Sequence, residues 1–190
     1  MQRLRRLWWR WCWWRHRQRL TTISVVVLDL DGVLTDGGLW HGPEGELTKR
    51  FDVRDGLGIR LLQHAGLDVA FLSGGLGGAT EVRSRQLGIR HCLVGAKDKP
   101  LALEGLRREL GVQPDQIAFV GDDVNDLAVQ GNVGLLVATA DAARPLRRRT
   151  HAVLLHPGGH GVVRELSERL LRARGIWQPL CRDGWRDRNN

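Results

Sequence analysis

Val25-Val26-Val27-Leu28-Asp29-Leu30-Asp31-Gly32-Val33-Leu34-Thr35-Asp36 is the stretch that decides the fold. Four apolar residues run directly into two carboxylates spaced two apart, and a glycine follows. A continuous Val/Leu run of this length reads as a strand buried on both faces, as in a parallel sheet. A buried strand holds two acids only where it has just ended. Asp29 and Asp31 are therefore expected at the carboxyl edge of the sheet, where open α/β folds place their ligands. Residues two apart on an extended chain share a side, so both carboxylates are expected to face one site. Gly32 lets the backbone turn sharply beside them. Two like charges held that close need a cation or a shared proton.

Outward from this stretch the same grammar recurs. Leu67 to Leu72 reads as a second buried strand ending at Ser73-Gly74-Gly75, and Gln116 to Val120 as another ending at Gly121-Asp122-Asp123. A short strand, His91 to Val94, precedes Lys97-Asp98-Lys99-Pro100. There Asp98 is the expected N-cap of a helix that runs to Leu110 and stops at Gly111. Val133 to Val137 and Ala152 to Leu155 are the last expected strands. Helices are expected over Thr80 to Gln86, over Val162 to Arg172 and over Ile59 to His64, the last approached through Asp55-Gly56-Leu57-Gly58. Strands alternating with helices define an α/β fold with a parallel sheet. One segment departs from it. Leu39-Trp40-His41 and Glu46 to Phe51 flank the turn cluster Gly42-Pro43-Glu44-Gly45, so 37–51 reads as a small β-hairpin insertion projecting from the sheet edge.

The chain has 190 residues, enough for one domain with a sizeable core. Its formal charge of +8 is misplaced as a clue: seven of the 29 basic residues lie in Met1 to Leu20, which has no acid, and the rest is nearly neutral. That leader also holds five of the eight tryptophans. Arginines interrupt every apolar run, which excludes a secretory signal and a bilayer span. A disordered extension, an interfacial membrane anchor and a nucleic-acid arm remain open for it; no nucleic-acid partner is expected for the body, because the basic surplus is confined to the leader. The domain is expected over 21–175, with a polar tail over 176–190. Three cysteines, far apart and odd in number, point to reduced thiols and the cytoplasm. Tyrosine is absent, which excludes any mechanism that needs a phenol.

The strand ends bring together hard oxygen donors and one lysine. Asp29 and Asp122 with a nearby carbonyl suit Mg²⁺. Ser73 can donate to a phosphate, Lys99 can neutralise it, and backbone N–H groups near Gly32 and Gly74 can cradle it. Asp29 is then the expected nucleophile, and Asp31 the acid/base. The glycines at 74, 75, 77 and 78 do not follow GxGxxG, which argues against a dinucleotide site.

At this point the sequence resembles a known family. Asp29-Leu30-Asp31-Gly32-Val33-Leu34-Thr35-Asp36, Ser73-Gly74, Lys99 and Gly121-Asp122-Asp123-Val124-Asn125-Asp126 are similar to the four motifs of the haloacid dehalogenase superfamily. Phe51, Arg54-Asp55-Gly56-Leu57-Gly58-Ile59, Leu87-Gly88-Ile89 and Gly158-Gly159-His160-Gly161-Val162-Val163-Arg164-Glu165 are similar to those of the 3-deoxy-D-manno-octulosonate 8-phosphate phosphatase family. The resemblance covers about Ser24 to Gly175. It implies a Rossmann-like fold whose hairpin replaces a cap domain, Mg²⁺ dependence, and hydrolysis of a sugar acid phosphate. It implies Asp29, the Asp31 carbonyl and Asp122 as metal ligands, Asp123 and Asp126 around them, and a homotetramer associated through the hairpins. Two positions depart from the pattern: Gly75 stands where the family usually has Arg, and Trp40 where it has Tyr. Arg54 is either a substrate contact or an ion-pair partner of Asp52 or Asp55. A nine-carbon sugar acid 9-phosphate as substrate, and a non-catalytic module of the same fold, are the alternative readings.

Overall fold

Val25–Leu28 forms β1, the inner strand on which the structure, a computed structural model describing residues 13, 15–45 and 47–186, is assembled. β1 pairs in parallel with β4 (Asp68–Leu72) on one side and β6 (Ile117–Gly121) on the other, Val25 aligning with Asp68 and Ile117. With β5 (His91–Leu93), β7 (Leu135–Ala138) and β8 (Ala152–Val153) they make a six-stranded parallel sheet in the order β5-β4-β1-β6-β7-β8. The chain leaves β1 towards β4 and later returns to β6 on the opposite side. The crevice between the carboxyl ends of β1 and β6 is thus the topological switch point.

Alternation along the strands divides the core in two. Val26 and Leu28 face one layer with Val69, Phe71 and Val120; Val25 and Val27 face the other with Leu72 and Phe119. The first layer is closed by α2 (Val53–His64) and α6 (Val162–Ala173), through Ile59, Leu62, Val163, Leu166 and Leu170. The second is closed by α4 (Lys99–Leu110), through Leu103 and Leu106. Each of these side chains is worth about 1.5–3 kcal/mol when fully buried, which fixes β1 in register. α3 (Ala79–Leu87) ends at Gly88, which adopts the left-handed conformation. A short α5 (Arg144–Arg147) and a 3₁₀ segment, Val124–Asn132, complete the helical layers.

The structure moves several expected boundaries. α2 begins at Val53 and takes in Gly56 and Gly58, read from sequence as the approach to a helix that starts at Ile59. Asp52 caps it by accepting from the Arg54 N–H at 2.7 Å. Gly58 is needed for packing, since a Cβ there would come within 2.9 Å of the Arg164 Cα in α6. Asp55, fully buried, in turn accepts from the N–H groups of Gly161 and Arg164 and so caps α6 from the neighbouring helix.

The expected leader boundary at Leu20, and with it the expected domain start at Thr21, fall inside a helix, α1 (Arg17–Thr22). The Thr21 and Thr22 hydroxyls donate back to Gln18 and Arg19 carbonyls, which suits them to a last helical turn. Leu20 and Trp13 join the core, and the Arg169 guanidinium lies 4.3 Å from the Trp13 ring centroid. The rest of the leader, 1–12 and 14, lies outside the described residues. In the tail, Trp177–Asp183 forms α7 and buries Trp177. The hairpin forms where expected, with β2 (Trp40–His41) antiparallel to β3 (Leu47–Thr48) and Trp40 paired with Thr48. Among the described residues no helix is long and apolar enough to cross a membrane.

Candidate active site

Asp29 follows β1 directly and its N–H still bonds the Val120 carbonyl of β6, so its side chain issues from the ordered end of the ladder. Leu30–Leu34 then curls into an irregular turn in which Gly32 has φ of +90°. Any side chain at Gly32 would collide with the Asp122 carboxylate. Asp122 follows β6 and approaches from the adjacent strand end. Carboxylate oxygens of Asp29, Asp122 and Asp126 lie within 4.8 Å of one another, close enough to share one ion.

These acids are not equivalent. Asp126 is fully buried, and its Oδ1 accepts from Lys99 Nζ at 2.6 Å. Its Oδ2 accepts from the N–H groups of Asp122 and Asp123, at 2.9 and 3.3 Å. Both oxygens are thus engaged, which makes Asp126 a buttress of the turn and leaves Asp29 and Asp122 as the carboxylates best placed to ligate an ion. Asp123 caps the Val124–Asn132 segment by accepting from the Val124 N–H at 2.7 Å. Lys99, at the start of α4, is 4% exposed and reaches Asp29 Oδ1 at 3.1 Å as well. Its pKa is raised: burial alone would lower it, but Asp29 and Asp126 outweigh burial. Burial first, and then repulsion from Asp126, pushes Asp29 up to about 6 against the pull of Lys99. Burial, with Asp29 and Asp126 behind it, pushes Asp122 up to about 8. A buried acid and a half-buried acid, both pushed up by burial and by neighbouring carboxylates, are a donor set that a small, hard dication fits, since it favours both charged forms at once.

Asp31 faces the same cleft but belongs to a different cluster. Its carboxylate is gripped by Lys49, with Nζ at 2.7 Å from Oδ1 and 2.9 Å from Oδ2. Lys49 follows β3 of the hairpin and is buried. Sequence reading missed it; the available signal was its phase with Leu47, two residues earlier, which places both on one side of an extended strand. Ser73 is buried at the end of β4, where its Oγ accepts from the Gly75 N–H at 3.1 Å. Asp29, Asp31, Ser73, Gly74, Asp122 and Asp123 together line one open cleft. Arg54 is not among the cleft residues: its guanidinium donates to both Asp52 oxygens and to the His160 carbonyl. A second missed feature is the role of Gly158-Gly159. Side chains there would strike the Gly32 carbonyl and the Asp36 backbone, and the Gly159 N–H donates to Val33 at 2.8 Å. The glycine pair thus clamps the turn that carries Asp31.

Paired carboxylates and a buried lysine at the switch point of a parallel sheet, with a hairpin inserted after β1, are the layout of a haloacid dehalogenase-like hydrolase, and that family's pattern matches residues 46–134. A 3-deoxy-D-manno-octulosonate 8-phosphate phosphatase of Yersinia pestis is 42% identical over 156 residues, covering 82% of this chain and 83% of the relative. A solved structure of that phosphatase from Yersinia pestis superposes with a TM-score of 0.83 at 41% identity, over 85% of this chain and 88% of the other. One from Moraxella catarrhalis, in complex with magnesium ion, phosphate ion and KDO, gives 0.87 at 31% identity over 90% and 98%. The chain belongs to the 3-deoxy-D-manno-octulosonate 8-phosphate phosphatase family.

Proposed function

We propose that this protein is a Mg²⁺-dependent phosphatase that converts 3-deoxy-D-manno-octulosonate 8-phosphate to the free sugar acid and phosphate. The observation that carries the reading is the split between the two acids after β1: Asp29 sits with Asp122 and Lys99, and Asp31 sits apart with Lys49. A nucleophile and a proton carrier need different surroundings, and this turn supplies both. The relatives' substrate supports the eight-carbon sugar acid over the nine-carbon one.

Asp29 and Asp122 side chains and the Asp31 main-chain carbonyl would hold the ion. Bound there, Mg²⁺ supplies charge neutralisation at the phosphoryl oxygens. Lys99 neutralises a further share and steadies Asp29 at 3.1 Å. The Ser73 hydroxyl and the N–H groups near Gly74 donate to the phosphoryl group. An Asp29 oxygen attacks phosphorus as the bond to the sugar oxygen breaks, and Asp31 delivers a proton to that oxygen. Asp31 then takes a proton from the water that attacks the aspartyl-phosphate, which releases phosphate and restores Asp29. Asp123 and Asp126 shape the turn around Asp122. Arg54, engaged by Asp52, serves α2.

The cleft is open, and the hairpin is too small to cover it alone. Association through hairpins into a homotetramer, with neighbours closing each site, is the proposed working form. Free Cys92 and Cys181 support a cytoplasmic setting. The deciding experiment is phosphate release from a panel of sugar acid phosphates with Mg²⁺ and with chelator. Turnover of the eight-carbon substrate that chelator abolishes is expected; equal turnover with chelator would overturn the metal assignment.

A further inference from the structure

We propose that Lys49 is a positioning residue that acts through Asp31 and makes the aim of the acid/base depend on the hairpin. The inference rests on the phosphatase reading above, in which Asp31 protonates the leaving oxygen.

Four observations carry it. Lys49 contacts both Asp31 oxygens, at 2.7 and 2.9 Å, so it fixes the rotation of the carboxylate as well as its place. The side chain of Lys49 is 2% exposed although the strand before it lies on the surface. An ammonium group taken out of water must be repaid by its partner, and Asp31 is the partner it has. The carboxylate has little else to hold it: its other hydrogen bond is a long one, 3.4 Å, from the Thr35 hydroxyl. On the far side stands Gly75, where even a Cβ would lie 3.3 Å from Asp31 Oδ2, so no side chain steadies the carboxylate from there. Asp29, by contrast, is steadied by Lys99 from α4, part of the sheet scaffold. The hairpin therefore orients one carboxylate and the sheet orients the other.

A structural role alone would also make Lys49 matter, so the test must read the proton transfer. An alkyl phosphate expels a poor leaving group that needs the proton from Asp31; p-nitrophenyl phosphate expels one that does not. The ratio kcat/KM reports the step in which the leaving group departs. For Lys49→Met it is expected to fall about 10- to 100-fold on 3-deoxy-D-manno-octulosonate 8-phosphate, the scale of a misplaced catalytic group, and less than about 3-fold on p-nitrophenyl phosphate. Lys49→Gln, which keeps a polar head on a shorter stem, gives the same discrimination with less disturbance of folding. In an Asp31→Asn background, either substitution is expected to add no further loss on the sugar phosphate. Equal losses on both substrates, or losses that multiply with Asp31→Asn, would overturn the assignment while leaving the phosphatase reading intact. Absence of Asp29-dependent turnover in the unaltered protein would overturn both.

Discussion

Two lysines grip the two acids of Asp29-Leu30-Asp31, and they come from unlike regions. Lys99 opens α4, lies between Asp29 and Asp126, and is enclosed by the sheet. Lys49 ends the hairpin and meets an Asp31 side chain that is 34% exposed. The Lys99 cluster is buried in the sheet scaffold, whereas the hairpin is an appendage whose strands are two residues each. In the proposed reaction the first region holds the nucleophile and the second aims the acid/base. Each substitution below breaks one side of that contrast.

The largest effect is expected at the centre. Asp29→Asn keeps the shape and removes the attacking charge. Turnover of the sugar phosphate should fall by at least about 10³-fold, as when a nucleophile is deleted elsewhere, with the fold unchanged by circular dichroism. Full activity in this variant would refute Asp29 as nucleophile.

The two lysines then separate on stability. Lys99→Met leaves fully buried Asp126 without its cation, which should cost about 3 kcal/mol in urea unfolding with chelator present. Lys49→Met frees an acid that water already reaches, so its cost should stay near 1 kcal/mol or below. A larger loss at Lys49 than at Lys99 would reverse the contrast between scaffold and appendage. Between these lies Gly158→Ala, which drives a methyl into the Gly32 carbonyl. A cost of about 2 kcal/mol is expected, together with reduced turnover, because the displaced turn carries Asp31.

The sheet edge was legible in the sequence for a physical reason. Val25 to Leu28 had one way to be buried on both faces, and strand ends in a parallel sheet converge whatever separates them in the chain. Asp29, Ser73, Lys99 and Asp122 were placed on that argument, and all meet at the β1 and β6 ends or beside them. Lys49 was not legible, because a salt bridge between a hairpin and a turn depends on where the hairpin folds back. The glycines at 56 and 58 misled, since local propensity opposes them in a helix while contact with α6 demands them. Asp126 was recognised only as an outer group, and its sharing of Lys99 with Asp29 appears only in three dimensions. The helix across Leu20 was not legible because a charged leader masked Trp13 and Leu20, two residues that the core takes up.

The smallest effect on the single chain, and the one that most sharpens the contrast, is expected at Trp40. Its side chain lies on the hairpin and is 70% exposed, beside the half-exposed Leu39. A substitution such as Trp40→Ser removes little packing within the chain, so its unfolding free energy should change by less than about 0.5 kcal/mol. If hairpins associate, the same change removes a large apolar contact at each interface, where an aromatic anchor carries a disproportionate share of the binding. Sedimentation at assay concentration should then show a tetramer for the unaltered protein and smaller species for the variant. Turnover should fall with the mass, because the open cleft loses the neighbours that close it. A monomeric mass for the unaltered protein at full activity would refute the shared site and leave the hairpin with one duty, the grip of Lys49 on Asp31.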